Sequence, residues 1–180
     1  MPDPEAPVEI VPYDPSWPEQ FETEAALLRR SLTSWLAAPI EHIGSTAIPG
    51  LAAKPVVDIL FGVMSLDASR PAIDAAAGLG YCYAPYQVDR EHWFCKPSFA
   101  VRNYHLHMVP VGSPQWDRPI AFRNYLRGHR DVALEYEALK RQLAQLHRVD
   151  REAYTQAKAP FIDGVTRRAL EDGYGQQPPP

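Results

Sequence analysis

The sequence predicts an α/β (α+β) fold: a mixed β-sheet with helices packed on it and a C-terminal helical layer. Three observations predict it. Residues 55–63 are nearly all apolar around one aspartate, the pattern of a strand covered on both faces. Residues 81–111 hold three strand candidates in succession. Beyond Trp116, apolar residues recur only at helical spacing.

The elements follow in order. Residues 8–11 alternate weakly and read as a short strand stopped by Pro12. The turn at 14–18 starts a helix over 18–37, with Phe21, Ala25, Leu28, Leu32, Trp35 and Leu36 on one stripe. Residues 39–43 form a short strand, and 44–53, rich in small residues, a loop with room for a helical turn. The buried strand at 55–63 leads to a helix over 65–79, ended by Gly78 or Gly80. Strands at 81–83, 91–97 and 103–111 suggest an antiparallel meander. Helices over 116–126 and 131–147 meet near Gly128. A last helix spans 150–172, kinked or split by Pro160 and stopped by Gly173. These elements make one domain over 8–173, with flexible ends at 1–7 and 174–180.

Length and composition limit the function classes. The chain has 180 residues, 46% of them hydrophobic, enough for one sizeable core. A formal net charge of -4 argues against a general nucleic-acid coat. No apolar run approaches the roughly 20 residues that span a bilayer. The first residues lack the basic and apolar regions of a secretory leader, so a cytoplasmic location with no membrane partner is expected. Cys82 and Cys95 lie outside any zinc-type spacing and read as two reduced thiols.

Residues with chemistry gather in two stretches. Gly44 follows a short strand, can adopt backbone angles closed to other residues, and lets an anion approach the chain. Ser45 and Thr46 add hydroxyl donors beside it. Asp58 sits inside an apolar strand, where an unpaired carboxylate costs several kcal/mol, so it needs a cation, a metal or hydrogen-bond donors. His105 and His107, two apart on a strand, face the same way. With Asp58 they make a candidate divalent-metal site. His42 and His92 lie near strand ends, where solvated histidines are common. Lys54, Arg123 and Lys158 are candidates for neutralising phosphate. Trp93, Trp116, Phe122 and Tyr125 read as core.

These residues together resemble the GrpB family (the UPF0157 type). The resemblance rests on residues 11–17, on Glu41-His42-Ile43-Gly44-Ser45-Thr46, on residues 48–59 ending in Val56-Val57-Asp58-Ile59, on His105-Leu106-His107, on residues 122–127, and on Tyr154, Lys158 and Phe161. The family is similar to the nucleotidyltransferase superfamily, which implies a nucleotidyltransferase-like fold. There a Gly-Ser loop holds the nucleotide, and acidic residues spaced one apart bind divalent metal. Gly44-Ser45 matches the loop and Asp58 the first acid, but Leu60 occupies the second acidic position. Histidine ligands shift the metal from Mg toward Zn, Mn, iron or nickel.

The first functional expectation is a nucleotidyl- or phosphoryl-transfer enzyme acting on a nucleotide or phosphorylated small molecule. In it Asp58 and Ser45 are catalytic. His42, Gly44, Ser45, Thr46, Lys54, Arg123 and Lys158 bind substrate phosphate. Asp58, His105 and His107 hold a divalent metal. The alternatives are a non-catalytic binding module with a degenerate site and a metal-dependent phosphoester hydrolase. The sequence leaves the oligomeric state open, a homodimer included.

Overall fold

The apolar run around Asp58 forms an interior strand of the sheet, flanked on both edges. The computed structural model describes residues 7–175. Strand β2 (Val57–Val63) pairs antiparallel with β1 (Glu41–Ile43) and parallel with β5 (Arg102–Pro110). Strands β4 (His92–Pro97) and β3 (Cys82–Ala84) extend the sheet antiparallel, in the order β1-β2-β5-β4-β3. The last three strands are the expected meander, and the parallel β2–β5 pair makes the sheet mixed.

The pleat sorts β2 between two environments. Val57, Ile59, Phe61 and Val63 join Leu106, Met108 and Phe94 against α1 (Trp17–Ser31) and α2 (Pro71–Ala77). Trp17, Phe21, Ala25 and Leu28 supply the helix side of this main core. Asp58 and Leu60 point to the other face. There α3 (Pro114–Gly128), α4 (Arg130–Leu146) and α5 (Arg151–Glu171) form the C-terminal helical layer. Leu60 packs with Ile43, Val109 and Ile120, fastening α3 to one end of that face. The other end is left open between β4, β5 and the helices.

Several elements differ from expectation for local reasons. The strand expected at 8–11 reduces to one bridge, Val11 with Ala53, because Pro12 has no N–H to continue a ladder. The first helix ends at Ser31, and Trp35 and Leu36 reach the core from a following 3₁₀ turn. The helix expected from 65 starts at Pro71, whose fixed φ and missing N–H suit the first helical position; Arg70 before it is itself helical in its backbone angles. Ser65 and Ser69 hold the preceding turns through their side chains. Pro160 does not split α5, which runs unbroken through it. Of the ends expected to be flexible, residues 1–6 and 176–180 lie outside the described residues. Tyr174, placed in that tail, packs edge-on against Tyr125 at 5.3 Å.

Gly62 allows the close approach of α3 to the sheet. A β-carbon there would lie 2.7 Å from Val111 Cγ2 and 2.9 Å from Trp116 Cζ3. Gly62→Ala is therefore expected to destabilise the fold by about 1–3 kcal/mol through overpacking. Urea unfolding measures this; an unchanged midpoint would contradict the close packing of Trp116 on β2.

Candidate functional site

Parallel pairing of β2 with β5 sets Asp58 opposite His105 and Leu60 opposite His107. All four side chains share the face toward the helical layer. Asp58 Oδ1 lies 2.9 Å from His105 Nδ1 and 3.9 Å from His107 Nε2. The first contact is a hydrogen bond; the second is electrostatic. His107 Nδ1 bonds Glu91 Oε2 at 2.7 Å, at the start of β4. Asp58, His105, His107 and Glu91 thus form a chain from β2 to the sheet's far side.

The charges follow from these contacts. Burial alone would raise the Asp58 pKa, but its contacts with His105 and His107 outweigh burial and hold it far below the ordinary carboxylate range. Burial opposes charge on His107, yet Glu91 and Asp58 together push its pKa up to about 10. Burial depresses His105, which stays neutral and donates its Nδ1 proton to Asp58.

A cavity of about 950 Å³ opens over this chain. Gly44 closes one wall. Its φ is +72°, and a β-carbon there would overlap Asp58 Oδ2, so the position requires glycine twice over. Ser45 starts a single 3₁₀ turn and lines the cavity together with the buried Tyr136. Three lysines also line the cavity. Lys54 and Lys158 lie 5.3 Å and 4.4 Å from the centre of the Tyr154 ring. Lys140 donates to the Ala52 carbonyl at 2.5 Å. Burial, then mutual repulsion, lowers Lys140 to a pKa of about 7 and Lys158 to about 8.

The structure therefore brings Gly44, Ser45, Lys54, Asp58, His105, His107 and Lys158 to one cavity. It sends three expected phosphate ligands elsewhere. His42 points to the opposite face and stacks on Phe21 at 4.7 Å; burial lowers its pKa to about 4. Thr46 is buried, donates to Val56 O and pairs with His42. Arg123 is 7% exposed and held by Glu41 Oε2 at 2.6 Å, His42 O at 2.8 Å and Asn124 Oδ1 at 2.9 Å, so its donors join β1 to α3. His92, expected near solvent, is buried and bonded to Leu66 O.

A profile of the GrpB protein family matches residues 7–168. The chain belongs to the GrpB family. A UPF0157 protein of Pseudomonas aeruginosa is 38% identical over an alignment of 170 residues that covers 91% of this chain and 68% of that protein. The UPF0157 protein YqkA of Bacillus subtilis is 35% identical over 92% of this chain, which spans 48% of YqkA's length. The crystal structure of GrpB from Enterococcus faecalis superposes with a TM-score of 0.82 at 34% identity, covering 91% of this chain and 98% of the other. The mixed sheet and helical layer are thus those of a solved GrpB protein.

In this GrpB-family cavity the donor set suits a divalent cation. One carboxylate and two imidazoles offer ligand atoms within 4.8 Å of one another. The distances of 2.9 and 3.9 Å bracket the roughly 3.4 Å expected between ligands about 2.1 Å from a tetrahedral ion. Glu91 on His107 Nδ1 leaves Nε2 for the cation, the usual role of a carboxylate behind a ligating histidine. His105 Nε2 is buried without a hydrogen-bond partner and can carry the ring proton once Nδ1 is engaged.

Sequence reasoning missed Glu91 and Lys140. Glu91 stands at a strand start among charged turn residues and carries no local signal. Lys140 had one: it lies on the apolar stripe of α4 with Tyr136 and Leu143.

His107 generates a pH prediction for chelator-treated protein. Its pKa lies above the ordinary value near 6.5. Its ion pair therefore stabilises the fold fully below about pH 6.5 and is lost as pH rises through about 10. In Glu91→Gln the midpoint should move toward neutrality by at least one unit, followed by the His107 ring-proton NMR shift. An unchanged midpoint would remove Glu91 from the site.

Proposed function

We propose that the cavity binds a nucleotide or another phosphorylated metabolite and carries out nucleotidyl or phosphoryl transfer. The observation that carries this reading is the presence, within one cavity, of the Asp58–His105–His107 cluster and of Lys54, Lys140 and Lys158. Asp58, His105 and His107 would hold one divalent cation, which supplies neutralisation of phosphate charge and polarisation of a phosphoryl oxygen. Lys54 and Lys158 would face the substrate phosphates, with the Ser45 hydroxyl alongside. Tyr154 orients both ammonium groups over its ring. Glu91 keeps the His107 ring turned toward Asp58.

One observation favours binding without turnover. Leu60, where related transferases carry a second acid, is 1% exposed in an apolar cluster. With leucine there, that position offers no second metal-binding carboxylate on the Asp58 face, which supports one metal rather than two.

The decisive assay incubates purified protein with nucleoside triphosphates and Mg²⁺, Mn²⁺ or Zn²⁺. Transfer is expected with the softer ions, falling at least 100-fold in Asp58→Asn. Saturable thermal stabilisation by the nucleotide without product would instead establish the binding module. Neither stabilisation nor turnover would contradict both.

The lysines give a second test. Their low pKa values mean that an anion must draw protons onto Lys140 and Lys158 as it binds. Pyrophosphate affinity should fall as pH rises from about 7 to 9, with net proton uptake on binding, measured by calorimetry in buffers of different ionisation enthalpy. Lys158→Ala should weaken binding about tenfold or more, by analogy with lost charge-assisted bonds. A pH-independent affinity would place the anion away from these lysines.

A further inference from the structure

Cys82 and Cys95, 13 positions apart in sequence, are directly opposed across the β3–β4 ladder. Opposed residues in an antiparallel pair have Cα atoms about 4.5–5.5 Å apart, inside the roughly 4.4–6.8 Å range that a disulfide spans. Their neighbours in the ladder, Tyr83 and Phe94, turn to the main core, so both cysteines share the face of the functional cavity. Both are thiols. Cys82 Sγ contacts Pro97 O at 3.5 Å, and Cys95 Sγ contacts Ser98 O at 3.4 Å. Two side chains from two strands thus aim at consecutive carbonyls of one short segment. Cys82 is partly exposed, whereas Cys95 is fully buried.

The position of the pair matters. Cys95 also lies opposite His105 on β5, so one row across the sheet reads Asp58, His105, Cys95, Cys82. The segment between the cysteines contains Glu91, which bonds His107, and Tyr86 and Trp93, which line the cavity.

We propose that Cys82 and Cys95 form a reversible cross-strand disulfide that staples the β3–β4 hairpin beside the cavity. The oxidant is a small-molecule disulfide of the glutathione class. Partly exposed Cys82 exchanges first, forming a mixed disulfide and releasing one thiol. Cys95 then attacks the Cys82 sulfur and releases the second. Two S–H bonds are lost, one protein S–S bond forms, and both electrons and both protons end on the two released thiols. A transient disulfide of this kind suits a reducing compartment, where lasting structural ones are rare. The closed loop fixes the base of the segment that positions Glu91, so oxidation tightens one wall of the cavity.

The test uses the full chain, reduced, freed of reductant and exposed to glutathione disulfide. Thiol titration should show both cysteines lost together. Peptide mapping should recover one Cys82–Cys95 link in monomeric protein, reversed by dithiothreitol. The thermal midpoint should rise on oxidation in the parent and not in Cys82→Ser, where Cys95 stays a thiol because it is buried. Stable glutathione on Cys82 with Cys95 still reduced would overturn the proposal, as would a link between two chains. The mapping on unmodified protein decides this even if a cysteine variant folds poorly.

Discussion

A carboxylate on an interior strand of a covered sheet loses much of its hydration, which costs stability unless other groups restore the balance. Asp58 meets that demand through His105 directly and His107 at longer range. His107 can carry positive charge because Glu91 faces one of its nitrogens and Asp58 the other. The β2–β5 register, the position of β4 and the glycine at 44 are all constrained by this one group. A shift of β5 by one residue would turn both histidines into the main core. A side chain at Gly44 would collide with the Asp58 carboxylate.

The lysine side of the cavity presents the opposite problem. Lys54, Lys140 and Lys158 repel one another in a partly dry space, and two of them respond with lowered pKa values. Aromatic rings and the Ala52 carbonyl offset part of the strain. Glu137 accepts from the Ala52 N–H while Lys140 donates to its carbonyl, so α4 grips the peptide just before Lys54. An anion between the lysines would relieve their repulsion; were a cation also held at Asp58, the two ligands would attract and their affinities would be coupled.

Much of this was legible in the sequence. The carboxylate inside an apolar run and the two histidines at strand spacing identify one face of one sheet by alternation alone. Lys54 and Lys158 were legible through the family resemblance, which also exposed Leu60. The sequence did not separate true lining residues from structural ones near the Gly-Ser loop. His42 and Thr46 adjoin Gly44 in the chain, but the pleat of a three-residue strand turns His42 to the opposite face, and the Thr46 hydroxyl is spent on the Val56 carbonyl. Arg123 is committed to Glu41 across 82 positions, a partnership no local pattern reveals. Glu91 and the opposition of Cys82 with Cys95 depend on hairpin register, which is fixed by tertiary pairing rather than by composition.

The most direct measurement is anomalous diffraction from crystals of the protein grown with Mn²⁺ or Zn²⁺. One strong peak is expected between the Asp58 carboxylate, His105 and His107, with Glu91 still bonded to the far nitrogen of His107. An intact Asp58–His105 hydrogen bond, with the ion bound elsewhere on the chain, would contradict a metal site at Asp58.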